Sequence, residues 1–211
     1  MLYIGEAMKK LLVVLLGLAF LTGCSSESSK PAEKPEPKPP EFVTGRSGFQ
    51  KAYVAARGWA RDAQPYRLES QTTADSDGKD GKSGVWRGWF GSNANHGAKP
   101  YIWSGSGAPD APERGVTFGT EDSYNPNNSS THVFDMGFLK VDSDKAFEVA
   151  QKHGGDKVLE KNPDAKVFYV LDWSTPNNDL EWHVIYGPSR DQVRLNVAVN
   201  ASTGEFLRVE K

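Results

Sequence analysis

The sequence predicts an α+β fold in which one pattern is laid down twice: a helix packed on a three- to four-stranded antiparallel sheet, the pair preceded by a disordered tether. Three observations carry this expectation. Apolar residues recur at helical spacing over residues 47–61 and again over 145–153. Alternating, strand-like runs follow each of them, and the two halves match one another at near-constant offsets.

In chain order the first element is an export signal, residues 1–23. Lys9 and Lys10 precede the apolar run Leu11–Phe20, and Leu21-Thr22-Gly23-Cys24 follows. The run is shorter than the roughly 20 residues that span a bilayer. Its lysine pair and the small residues behind it set it apart from a buried core helix. Met8 makes a more regular start than Met1, because it leaves out Glu6, an acid that suits a positive leader poorly. The Leu-Thr-Gly-Cys stretch resembles the lipobox of bacterial lipoproteins. That resemblance implies cleavage after Gly23 and acylation of the Cys24 thiol, palmitate included. Each buried methylene contributes about 0.8 kcal/mol, so two or more chains hold a protein to a membrane persistently. The same resemblance places the chain in the cell envelope; with Ser25 rather than Asp after the cysteine, a Gram-negative host would send it to the outer membrane, periplasmic side.

Residues 24–43 form the tether. They are rich in Pro, Ser, Lys and Glu, with no large apolar residue before Phe42, so they cannot bury surface to offset chain entropy. Composition bounds the rest. A hydrophobic content of 37% and six Trp support a packed core, while a net charge of -2 without a basic stripe excludes a nucleic-acid partner. Cys24 is the one cysteine, which rules out an internal disulfide, a second thiol and a Cys-based metal site.

The first unit, residues 44–120, opens with a helix over Ser47–Arg61, with Phe49, Ala52, Tyr53, Ala56 and Ala60 on one face and Ser47 as N-cap. Strands are expected at Tyr66–Thr73, Val85–Phe90, Pro100–Ser104 and Val116–Gly119. The Asp75–Lys82 segment is acidic and glycine-rich, but it departs from the EF-hand register: Asp80 falls where the sharp-turn glycine belongs and Trp86 where the bidentate Glu belongs, so it reads as a hairpin loop. Residues 121–130 form a polar junction. The second unit, 131–211, begins with an alternating strand over Val133–Val141. A helix over Lys145–His153 follows, stopped by Gly154-Gly155, and then strands at Lys166–Trp173, Glu181–Tyr186, Val193–Val199 and Glu205–Val209.

The halves superpose. Trp86-Arg-Gly-Trp-Phe-Gly91 lies over Trp182-His-Val-Ile-Tyr-Gly187, Tyr101-Ile-Trp103 over Val197-Ala-Val199, and Phe49-Gln-Lys-Ala52 over Phe147-Glu-Val-Ala150. In the second half, the Asp142-Ser-Asp-Lys-Ala-Phe147 helix start, Trp182-His-Val-Ile-Tyr186 and Val199-Asn-Ala-Ser-Thr-Gly204-Glu-Phe-Leu207 resemble the PepSY domain. The final hairpin of that family carries an Asp-x-x-Thr-Gly-Glu turn, with Asn200 here in the place of Asp. The first half matches through the repeat and lacks the turn. The resemblance implies an envelope protein that binds or inhibits a protease, and it brings no catalytic residues.

No motif calls for a cofactor. His96, His132, His153 and His183 lack metal-ligand spacing with one another or with an acid, no Gly-x-Ser-x-Gly elbow is present, and glycine-rich phosphate loops are absent. What remains is aromatic. Alternation places Trp86 and Phe90 on one sheet face and Trp89 on the other, with Tyr101 and Trp103 sharing a face. Trp89, Trp103 and His183 are the candidate partner-contact residues. The expected function is therefore a non-enzymatic, lipid-anchored binding module, held to the membrane through Cys24, whose partner is an envelope protein or protease. Two alternatives stand beside it: an envelope hydrolase of peptide or wall material, built on His96, His132 or His183 with acids such as Asp172 or Glu181, and a structural envelope lipoprotein.

Overall fold

In the computed structural model, which describes residues 38–210, the alternation of the sequence becomes one antiparallel sheet shared by both halves. Strand β1 (Val43–Thr44) leads into helix α1 (Gly45–Trp59). Then come β2 (Gln64–Gln71), β3 (Lys82–Ser83), β4 (Val85–Ser92), β5 (Gly97–Ser104), β6 (Gly115–Phe118) and β7 (Asp122–Ser123). Two 3-10 turns, Ser129–Thr131 and Met136–Phe138, precede helix α2 (Ser143–Ala150). A wide turn over Gln151–Gly155 continues into helix α3 (Asp156–Lys161), and β8 (Lys166–Ser174), β9 (Asp179–Gly187), β10 (Leu195–Asn200) and β11 (Phe206–Glu210) close the chain. The main sheet runs β11-β10-β9-β8-β2-β4-β5-β6, with β7 also on β5, and β1 pairs separately with β3. Among the described residues no helix is long and apolar enough to cross a membrane.

Each half is thus a helix followed by an antiparallel meander, but the sheets are not separate. β2 and β8, the first sheet strands of the two halves, pair antiparallel through Arg67–Asp172, Leu68–Leu171 and Glu69–Val170. The units expected at 44–120 and 131–211 therefore share one sheet, and Asp122–Ser123, expected in the junction, pairs with Ala98 and Gly97. The tether boundary at residue 43 moves as well. The Glu41 amide donates to the Gly105 carbonyl, and Arg114 donates to the carbonyls of Lys38 and Pro39, so the ordered region begins upstream of 44.

The helices cover one face, where Trp86, Phe90, Tyr101, Trp103, Tyr169, Trp182 and Tyr186 meet Phe49, Ala52, Ala146 and Ala150 in a single core. Small residues let the start of α1 come close to both tryptophans. A Cβ on Gly48 would stand 2.4 Å from the Trp86 ring, and one on Gly45 2.5 Å from that of Trp182. Both indoles make the same bond: Trp86 Nε1 donates to the Val43 carbonyl and Trp182 Nε1 to the Val141 carbonyl, each just ahead of its half's helix.

Three local expectations change. Helix α1 begins two residues earlier than Ser47, because the other half satisfies its free amides: Gly45 donates to Ser143 Oγ and Arg46 to Asp142 Oδ1. Val133–Val141 is not a strand. Asp135 caps a 3-10 turn at Gly137, and the Phe134 amide bonds the Pro65 carbonyl, so Phe134 and Leu139 plug the core instead. Gly154-Gly155 does not stop the helix. Gly154, at φ 113°, kinks it, and the helical path resumes in α3.

Candidate functional site

The face away from the helices carries the site. Residues directly opposite in the register share a face, which lays out three rows. Arg87, Glu69, Val170, His183, Ala198 and Arg208 form the middle one. Trp89, Arg67, Asp172, Glu181 and Asn200 lie on one side of it, and Phe168, Ile185, Asn196 and Glu210 on the other.

Charges of alternating sign link across these rows. Arg190, on the β9–β10 connection, bonds Glu69 at 2.5 Å. Glu69 also takes Arg67 Nε at 2.5 Å, and Arg67 Nη1 reaches Asp172 at 2.6 Å. Asp172 faces His183 Nε2 at 3.2 Å, while His183 Nδ1 lies 3.0 Å from Glu210. Arg208 closes the chain, donating to Glu210 at 2.5 Å and to the fully buried Glu181 at 2.8 Å. Asn196 and Asn177 add bonds to Glu210 and Glu181.

His183 is the pivot. Burial pulls its pKa down, yet the bonds to Asp172 and Glu210 outweigh burial and raise it to about 9. The bond from His183 is in turn the main reason that Glu210 titrates at about 2. Glu181 is pushed up by burial, but Arg208 and Asn177 more than compensate, and it ends below its ordinary value. The chemistry that follows is that of a cation: with both ring nitrogens carrying protons toward carboxylates, His183 offers no lone pair to a substrate or a metal. Ligand atoms of Glu181, His183 and Glu210 do lie within 4.8 Å of one another, but Arg208 already holds both carboxylates.

The sign of the pH dependence follows. The His183 pKa is above its ordinary 6.5, so its stabilisation is complete below that pH and is lost as pH rises through about 9. Glu210 contributes the opposite limb, present above 4.5 and lost as pH falls through about 2. One pKa unit is about 1.4 kcal/mol, so the unfolding free energy should fall by about 3 kcal/mol on the alkaline limb. Urea titrations across that range, with His183→Gln flattening the limb, check this.

A cleft of about 280 Å³ adjoins the row, lined by Tyr66, Arg67, Ser129, Ser130, His132, Asp172 and Trp173. His132 stacks on Trp173 with ring centroids 5.4 Å apart. Burial pushes the Tyr66 hydroxyl up to about 12. Beyond the other end of β2, Asp75 accepts from Thr73 Oγ1, Ser106 Oγ and the Gly107 amide, so this acid ties the 75–82 loop to the β5–β6 connection.

The expected contact residues fare differently. Trp89 does lie on the uncovered face, half-buried, with the Arg87 guanidinium 5.5 Å from its ring. Trp103 does not: it is 4% exposed, in the helix-side core, under the Lys51 ammonium. Its partner Trp86 across β4 fixes that face, which places it in the core rather than on a surface. His183 is on the uncovered face but sunk among carboxylates, and it keeps company with acids where none was expected from spacing. His96 sits apart in the β4–β5 turn at φ 50°. Cys24 and the signal lie outside the described residues. Glu69, Arg190, Arg208 and Glu210 were not singled out from the sequence. A readable signal existed: Arg67-x-Glu69, Glu181-x-His183 and Arg208-x-Glu210 each place opposite charges two apart on a strand, hence on one face.

Neither a family model nor a curated protein sequence matches the chain. Among solved structures it is similar to a crystal structure from Clostridium difficile 630, that of a candidate lipoprotein (CD1622). The TM-score is 0.50 at 14% identity, covering 77% of this chain and 91% of that one. At that identity the likeness concerns the fold.

Proposed function

We propose that this chain is a lipid-anchored envelope protein acting as a non-catalytic binding module, with two PepSY-like halves that present their shared uncovered sheet face to an envelope protein or protease. The observation that carries the reading is that face: among the described residues, three rows of strand residues on the side away from the helix-packed core, rich in arginine and carboxylate and bearing the half-buried Trp89. The matching indole bonds of Trp86 and Trp182 support the two-unit reading. The Leu-Thr-Gly-Cys24 motif and the description of the Clostridium protein as a candidate lipoprotein support the anchor.

One observation favours a second reading, the hydrolase: His183 does gather with Asp172 and Glu181. Its two nitrogens are both taken by carboxylates, whereas a general base needs one free, so the binding reading has the stronger support.

Cells expressing the full chain should incorporate an alkyne-tagged palmitate, and Cys24→Ser should abolish the label and release the protein from the membrane fraction. Cross-linking in intact cells, read by mass spectrometry, should return the same partner repeatedly. Trp89→Ala should cut that yield several-fold with the melting temperature unchanged. An unlabelled protein, or equal recovery by the Trp89 variant, would remove the support.

A further inference from the structure

We infer that a second surface of the domain, formed by one flank of α1 and the edge strand β6, rests on the anionic lipid surface that carries the anchor. The inference goes beyond the binding reading and takes only the lipid anchor from it.

The surface begins as a second stripe on α1. Phe49, Ala52 and Ala56 face the core, whereas Lys51, Val54, Ala55, Gly58 and Trp59 recur at spacings of three and four along a neighbouring flank. Strand β6 widens that flank. Tyr101 pairs with Phe118 and Trp103 with Val116, so both β6 side chains lie on the helix side of the sheet. Helix α1 nevertheless leaves them uncovered: Val54, Val116 and Phe118 are 75%, 40% and 67% exposed. Two lysines stand in the same patch. Lys51 Nζ is 4.3 Å from the Trp103 ring centroid, and Lys99 Nζ is 4.3 Å from that of Phe118 and 6.0 Å from that of Trp59, which links β6 to the end of α1. Exposed apolar side chains and an amphipathic indole among long cations suit the boundary of a bilayer, where the stems are buried and the charges meet headgroups.

Charge and the course of the chain select the occupant. Helix α1 carries Arg46, Lys51 and Arg57 and no acid, and Lys99 adds a further cation. Glu41, bonded to Lys51, and Glu121, bonded to the Trp59 indole, offset part of this charge at the rim. A second copy docked across a two-fold axis would set these cations against one another, whereas anionic headgroups attract them. The tether leaves from the same place. Arg114, which precedes β6, donates to the carbonyls of Lys38 and Pro39, and the Glu41 amide bonds the Gly105 carbonyl, so the chain leading back to Cys24 departs beside this patch. Residues 25–37 reach about 45 Å at most when fully extended, which keeps the patch within range of the lipid on Cys24. With α1 and β6 against the bilayer, the uncovered sheet face is turned toward the envelope space, where a partner can reach it.

Two native tryptophans on opposite faces supply the test, Trp59 in the patch and Trp89 on the uncovered sheet. The lipidated chain is purified from cells, its mass is read for acyl groups, and it is reconstituted into phosphatidylglycerol–phosphatidylcholine vesicles with brominated acyl chains. Where the mass shows no acyl group, a maleimide lipid coupled to the Cys24 thiol serves as the anchor. Trp59→Phe should remove most of the bromine-quenched fluorescence, and Trp89→Phe should leave it unchanged. Phe118→Asp, at an exposed side chain, should cut the Trp59 quenching several-fold with the melting temperature unchanged. Lys99→Gln should weaken docking about fivefold, the scale of one basic residue at an anionic surface, so a folding defect in one variant leaves the other to decide. Equal quenching of the two indoles, or quenching that neither Phe118→Asp nor Lys99→Gln reduces, would overturn the inference. So would a Trp59 already shielded from iodide in detergent by a dimer seen in sedimentation, which would assign the face to a second copy. A chain without acyl groups counts against the anchor reading, while the maleimide-anchored form still decides this one.

Discussion

Trp182→Ala should unfold the whole domain, both halves together, with a loss of about 3–5 kcal/mol in urea titrations, the range for truncating a large buried aromatic. The ring is fully buried, packs edge-on against Trp86 with centroids 6.3 Å apart and against Tyr169 at 6.5 Å, and lies under the start of α1. It therefore belongs to the second half by chain and touches the first half's helix by position. The β2–β8 pairing makes the sheet continuous across the halves, so no boundary exists at which one could unfold alone, and a single transition is expected. Trp182→Phe separates packing from the polar bond. It keeps most of the ring but leaves the Val141 carbonyl without its donor, for a smaller loss of about 1–3 kcal/mol. Trp86→Ala combined with Trp182→Ala should cost less than the two single losses added, because each ring lines the cavity left by the other.

Much of this frame is written in local pattern. Alternation finds β4 and β9 because Trp86, Gly88 and Phe90, like Trp182, Val184 and Tyr186, face a core while their neighbours do not. What local pattern misses depends on distant groups. The start of α1 is set by Ser143 and Asp142, nearly a hundred residues away, so no N-cap signal near Gly45 could mark it. Val133–Val141 alternates like a strand, yet Asp135 bends it and Pro65 captures its amide. The fusion of the two sheets rests on three residue pairs between strands whose sequences fit an edge or a centre equally well. The site was half legible. Period-two spacing puts each charged pair on one face, but only the register shows that the β2 and β9 pairs join through Asp172, and the β9 and β11 pairs through His183–Glu210 and Glu181–Arg208.

The end of that row holds the most exposed consequence of its charge pattern. Glu181 has no exposed side-chain surface, and among the described residues Arg208 is the one cation bonded to it, with Asn177 its other partner. Arg208→Ala strands a buried carboxylate, and because the Arg208 side chain is itself 39% exposed the cost should be about 1–3 kcal/mol, below that of a pair buried on both sides. Replacing both ends, Arg208→Met with Glu181→Leu, should restore most of the loss, because two apolar groups leave nothing unpaired. Acid provides the second check. In the native protein the Glu181 pKa lies below its ordinary value, so its pairing stabilises the fold at neutral pH and fades as pH falls. In Arg208→Ala the lowering bond is gone and burial dominates, so the Glu181 pKa should rise above ordinary and the carboxyl should take up a proton on mild acidification. The stability gap between variant and native protein should then narrow from neutral pH toward the carboxylate range. A gap that stays constant there would mean that Arg208 acts through packing over the sheet, not through the charge it lends to Glu181.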